Sequence, residues 1–164
     1  LDFPKCGTMS LVEYLKKKHP KCEVTRPENI YEEPKEPHLI PKWREWECVT
    51  ITRNPIDRIH SGHQYFTVLR QSSIEDVLRG NYHNSKNYLN VGFRDPIKQS
   101  NYNYFINKFS REHGVKVTNY RFEDLVEDPD FPHINETTPE NKRKWTPKER
   151  EYVEMCLNKA GITY

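Results

Sequence analysis

The sequence predicts an α/β fold, with a parallel sheet flanked by helices. Short β-branched runs alternate along the chain with segments of helical period. Strands separated by helices pair in parallel, because a parallel pair needs a crossover connection and a helix supplies it. The two most distinctive motifs each follow a strand-like run and open a helix, and sheets of this class bind ligands at the carboxyl ends of their strands.

The 164 residues suit one compact domain, 1–164. Apolar residues are 34% and charged residues 30%, a balance that leans towards disorder, but 12% aromatics, with three Trp and ten Tyr, can build a core. Twelve prolines, many in Arg26–Lys42 and Asp128–Pro147, predict long loops. A net charge of +2 does not fit a general nucleic-acid binder. Cys6, Cys22, Cys48 and Cys156 show neither a C-x-x-C pair nor zinc spacing, so no metal site is expected. They read as single thiols, with disulfides left open. No run reaches the length of a membrane span and no signal peptide is evident. The expectation is a soluble domain, cytoplasmic if the chain is complete and of Golgi-lumenal type if an upstream anchor was removed.

In chain order, Leu1–Phe3 reads as the end of a strand and Pro4–Thr8 as a turn. Ser10–Lys18 reads as a helix with Leu11, Tyr14 and Leu15 on one face, stopped by His19-Pro20. Lys16-Lys17-Lys18 reads as a solvated face. Cys22–Thr25 is a candidate short strand, Arg26–Pro41 an extended loop and Trp43–Trp46 a helical turn. Cys48–Thr52 is the best strand. Asn54 caps a helix from Pro55 to about Leu69, with Ile59, Tyr65, Phe66 and Leu69 inward. Ser73 opens a short helix to Leu78. Asp95-Pro96 opens a helix to about His113, closed by Gly114. Val115–Tyr120 is a strand, Glu123–Val126 a helical turn, and Thr146-Pro147 caps a last helix to about Lys159.

Pro4-Lys5-Cys6-Gly7-Thr8-Met9-Ser10 has the makings of an anion-binding turn. Gly7 permits a tight turn, backbone N–H groups at a helix N-terminus face an oxyanion, Thr8 and Ser10 add hydroxyls, and Lys5 adds charge. The lysine precedes the glycine, so this is not a Walker A loop. Alone, the string is a weak signal, and an ordinary strand-to-helix turn explains it better. Arg53 ends the best strand, and Ser61 lies about two helical turns later, so guanidinium and hydroxyl can converge on one phosphate. The competing reading gives Arg53 and Arg58 surface ion pairs. Two anion-binding elements at strand ends suit a ligand with two separate anionic groups.

Pro4–Leu11 resembles the 5′-phosphosulfate loop of sulfotransferases that use 3′-phosphoadenosine 5′-phosphosulfate (PAPS). Arg53-Asn-Pro-x-Asp-Arg-x-x-Ser61 resembles their 3′-phosphate motif, and Tyr120–Pro129 is similar to their Tyr-Glu-Asp-Leu segment. The resemblance implies a P-loop-like three-layer sandwich and PAPS as donor, with PAP as product and no required metal. It implies that Lys5, Cys6, Gly7, Thr8, Met9 and Ser10 hold the 5′-phosphosulfate and that Arg53 and Ser61 hold the 3′-phosphate. Lys142 and Arg143 fall where relatives often carry a basic loop over the nucleotide, with a solvated loop as the competing reading. The family's acceptor base is a Glu or a His. Here Glu33 ranks first, then Glu32, with Glu28 third and His60, His63 and His83 as alternatives. His133-Ile134-Asn135 and the Glu position are reminiscent of carbohydrate-type members, which implies a glycan acceptor. Two rivals stay open: a nucleotide kinase on the same fold, and a non-catalytic module that binds PAP or a sulfated glycan.

Overall fold

The computed structural model describes residues 3, 5–24, 46–65, 69, 71–80, 95–134 and 144–164. In chain order the elements are α1 (Thr8–Lys18), β1 (Cys48–Thr52), α2 (Pro55–Tyr65), α3 (Ile74–Arg79), a 3-10 turn (Lys98–Ser100), α4 (Tyr102–His113), β2 (Val117–Arg121), α5 (Phe122–Leu125) and α6 (Pro147–Lys159). Two compact units result, Leu1–Arg53 with Tyr102–Ile134, and Asn54–Asn101 with Asn135–Tyr164. The fold is mixed helix and strand, with a small parallel sheet flanked by helices.

The first unit holds the sheet. β1 and β2 pair in parallel from Cys48 opposite Val117 to Thr52 opposite Arg121. Thr50, Ile51 and Thr52 are buried, which suits a β-branched run at the centre of a core. At the carboxyl end the Thr52 hydroxyl accepts from the Asn119 amide at 3.1 Å and lies 3.4 Å from the Tyr120 carbonyl. This tie fixes the register beside the strand ends.

Phe3, Cys6, Leu11, Leu15, Ile51 and Phe131 form the buried centre of this unit. Edge-to-face rings knit it together: Phe3 on Tyr102 at 4.8 Å, and Phe131 on Tyr14 and Phe122 at 5.6 and 5.9 Å. The Tyr14 hydroxyl donates to Asp128 at 2.7 Å. Lys16, Lys17 and Lys18 form an exposed face, as expected, and the last two share an acidic partner there. Lys17 and Lys18 bond Asp130 at 2.5 and 3.2 Å, and these bonds hold its carboxyl below the ordinary range. The end of α1 is thereby tied to the turn after α5.

The second unit packs α6 on α2 and α3 around Ile56, Ile59, Leu69, Ile74, Val77, Val153, Leu157 and Ile162. Its helices carry their own caps. Asn54 accepts from the Ile56 N–H at 2.9 Å and Ser73 from the Asp76 N–H at 3.1 Å. Thr146 and Glu149 form a reciprocal capping box. The Arg58 side chain is fully buried, not in a surface ion pair. It donates to the Pro96 carbonyl, to the Ser100 hydroxyl at 2.9 Å and to Gln99 at 3.4 Å. A guanidinium has five N–H donors, and converging neutral acceptors make its burial tolerable.

Several sequence expectations need correction. Cys22–Val24 form no strand. The chain turns after His19, with the Cys22 N–H on the His19 carbonyl at 2.9 Å. Tyr65 faces solvent at 45% exposure, because it stands six residues past Ile59, about 240° around the helix. The segment from Asp95 is a turn and a 3-10 helix before α4, since Asn101 leaves helical geometry at ψ 65. β2 begins at Val117, two residues late, and runs on to Arg121. Thr25, Trp43, Phe66 and the loop after Gly80 lie outside the described residues.

Thr146→Ala removes the hydroxyl that accepts the Glu149 N–H and should cost about 1 kcal/mol in urea unfolding. Because Glu149 bonds back to the Thr146 N–H, Thr146→Ala and Glu149→Ala together should destabilise by less than the sum of the two.

Candidate anion-binding site

The parallel register builds the site. Thr52 stands opposite Arg121, so the next residue of each strand, Arg53 and Phe122, leaves the same carboxyl edge side by side. Adjacent strands lie about 4.8 Å apart. The Arg53 guanidinium carbon sits over the Phe122 ring, 4.5 Å from its centroid, in a cation–π contact. Among the described residues Arg53 makes no ion pair with a carboxylate.

The turn before α1 rests on the same ring. Gly7 has φ +94°, a conformation that disfavours any side chain. A Cβ there would lie 2.8 and 2.9 Å from Phe122 Cδ2 and Cε2, so only a glycine lets the backbone approach this closely. Lys5 also has a positive φ, 67°, which costs a non-glycine residue about 1 kcal/mol. Strain of this kind concentrates at ligand sites.

Gly7 is the N-cap of α1 and supplies no capping side chain, and the first turn carries no acidic residue. The positive end of the helix dipole therefore meets no carboxylate of its own first turn. The Lys5 ammonium is pushed down from 10.5 to about 8, first by burial and second by the positive charge of Arg53. Two cations are thus held near each other and near a helix N-terminus. Such a concentration of positive potential is relieved by binding an anion.

The other expected residues divide clearly. The Cys6 side chain is wholly buried, with Sγ 3.6 Å from the Tyr102 hydroxyl, and its N–H donates to the Phe3 carbonyl at 3.2 Å. Thr8 is half-buried and Met9 is 40% exposed at the start of α1. Ser10 is buried, and its Oγ accepts from the Ile134 N–H at 3.1 Å, leaving the hydroxyl proton for any other partner. Ser61 is half-buried on α2, in the second unit. Glu28, Glu32, Glu33, His83, Lys142 and Arg143 lie outside the described residues.

His63 does not suit the role of proton acceptor. It is fully buried, and Trp145 Nε1–H donates to its Nδ1 at 3.0 Å. The other nitrogen, Nε2, then carries the proton and donates to the Ser72 carbonyl at 3.0 Å. Both ring nitrogens serve packing. His60 sets its ring edge-on to Trp145 at 4.8 Å. Phe122 was missing from the expected site. Its signal was its place as the first residue after a strand, legible only with the strand's end and register in hand.

No protein-family model, curated protein or solved structure matches the chain. Among the described residues no helix is long and apolar enough to cross a membrane.

Gly7→Ala must place a methyl group against the Phe122 ring at a positive φ. It should lower stability by about 1–3 kcal/mol, and inorganic sulfate, which should raise the melting temperature of the unaltered protein, should no longer do so. Thermal unfolding with and without sulfate reads both effects.

Proposed function

We propose that the chain is a PAPS-dependent sulfotransferase with a P-loop-like three-layer α/β fold. One observation carries the reading: Lys5 and Arg53 are concentrated at the carboxyl edge of a parallel sheet, beside a glycine-capped helix N-terminus. That arrangement suits an anionic ligand and coincides with the two motifs that resemble the family's donor site.

In this reading the turn from Lys5 to Ser10 receives the 5′-phosphosulfate. Arg53 and Ser61 receive the 3′-phosphate, and Lys142 and Arg143 close over the nucleotide. The acceptor oxygen or nitrogen bonds to sulfur as the bond from sulfur to the bridging phosphate oxygen breaks. Charge gathers on that oxygen, and the Lys5 ammonium beside it stabilises the charge. Glu33, or Glu32 next to it, takes the acceptor's proton. The acceptor is a hydroxyl or an amine, in a glycan by the motif resemblance. No metal enters the scheme.

The lowered pKa of Lys5 has a direct consequence. An anion favours the charged ammonium, so PAP affinity should be greatest below pH 8 and fall as pH rises through about 8. The free protein behaves oppositely. Its unfolded chain holds the Lys5 proton up to about 10.5 while the folded state loses it near 8, so this group adds stability as pH rises between the two. Lys5→Arg should flatten the affinity profile, and isothermal titration calorimetry from pH 6.5 to 9.5 checks it. An equal fall in affinity in Lys5→Arg would remove Lys5 as the cause.

Thermal shift separates donor classes: PAP should stabilise the protein and ATP should not. Stabilisation by ATP alone would replace the sulfotransferase reading with a kinase. Transfer of labelled sulfate from PAPS to a panel of glycans and phenols tests the reaction. Glu33→Gln should lower turnover at least tenfold and leave PAP affinity within twofold; unchanged turnover removes Glu33 as the base.

A further inference from the structure

We propose that Phe122 is a positioning residue: its ring holds the Arg53 guanidinium in place to read a second phosphate on the nucleotide. The inference rests on the sulfotransferase reading, in which Arg53 meets the 3′-phosphate, and extends it to a side chain outside the motif that carries Arg53.

An arginine at a strand's end has a long, flexible stem, and ordering it for a ligand costs rotamer entropy. Proteins commonly order such a side chain with a carboxylate. That solution spends hydrogen-bond donors on the protein and cancels the charge the ligand needs. Arg53 has no such carboxylate among the described residues, and the ring of Phe122 lies under its guanidinium carbon at 4.5 Å. A cation–π contact orders the cation through the ring's quadrupole and uses none of its N–H groups as hydrogen-bond donors to oxygen. The charge and the N–H fork stay available for bidentate recognition of phosphate.

Phe122 is itself well anchored. It follows β2 directly, opens α5, and packs edge-on against the buried Phe131 at 5.9 Å. It also meets the Gly7 backbone. One ring thus supports both the loop turn and the arginine. Each lies on a strand or turn of the same unit, so the spacing of the two anionic subsites is referred to a single side chain.

The test uses the full chain and two ligands, PAP and adenosine 5′-monophosphate, which lacks the 3′-phosphate. Phe122→Leu and Phe122→Met keep bulk beneath Gly7 but lose the ring. Each should weaken PAP about 5- to 30-fold and change the monophosphate less than twofold. Phe122→Tyr, which keeps the ring, should retain PAP affinity. Phe122→Leu combined with Arg53→Ala should bind PAP no more weakly than Arg53→Ala alone. Equal weakening of both ligands would show mere support of the fold and overturn the proposal. So would an unchanged PAP affinity in both ringless variants, or additive losses in the double variant. Failure of the unaltered protein to prefer PAP over the monophosphate would instead overturn the sulfotransferase reading, and this inference with it.

Discussion

The contact of the Phe122 ring with the Gly7 backbone and the Arg53 guanidinium constrains the whole first unit. A glycine with positive φ lets the turn before α1 descend onto the ring. The parallel register brings Arg53 to the same ring from the neighbouring strand. Phe131 supports that ring from the core and in turn meets Tyr14 on α1. Helix, sheet edge and turn are therefore located against one aromatic ladder. Moving any one of them would open a gap or a clash at the ring, and close-packed interiors tolerate neither.

This ladder also explains how a polar chain folds. With 34% apolar residues, aliphatic side chains alone leave a thin core. Aromatic rings bury more area per residue and add edge-to-face attraction. The second unit takes a different course. It has an aliphatic cluster at its centre and commits polar groups inside it with their partners: Arg58 to carbonyl, hydroxyl and amide oxygens, and His63 between Trp145 and the Ser72 carbonyl. Each buried polar group fixes an orientation as well as filling space, since losing its partner would leave it desolvated.

Charge is distributed unevenly along the chain. Lys17 and Lys18 spend their charge on Asp130 at the C-terminal end of α1, where cations also complement the dipole. At the other end of the same helix Lys5 and Arg53 raise the positive potential, and burial drives Lys5 towards its neutral form. Such a concentration of positive potential costs stability, and a neighbouring negative charge would offset that cost. The strained backbone at Lys5 points the same way.

Local chemistry was enough to identify most elements. Val49, Thr50 and Ile51 define a strand through β-branching, and Asn54-Pro55, Ser73 and Thr146-Pro147 mark helix starts through capping. Gly7 and Lys5 were recognisable because a tight turn at a helix start has few chemical solutions. These features depend on neighbours within a few residues, so the sequence by itself determined them. Tertiary structure alone decided what depends on distant partners. Arg58 lies inside because acceptors near Ser100, about forty residues away, converge on it. His63 is neutral at Nδ1 because Trp145, 82 residues on, donates to it. Phe122 meets both Arg53 and Gly7 because a register of five residue pairs aligns two strand ends, and no local pattern encodes a register.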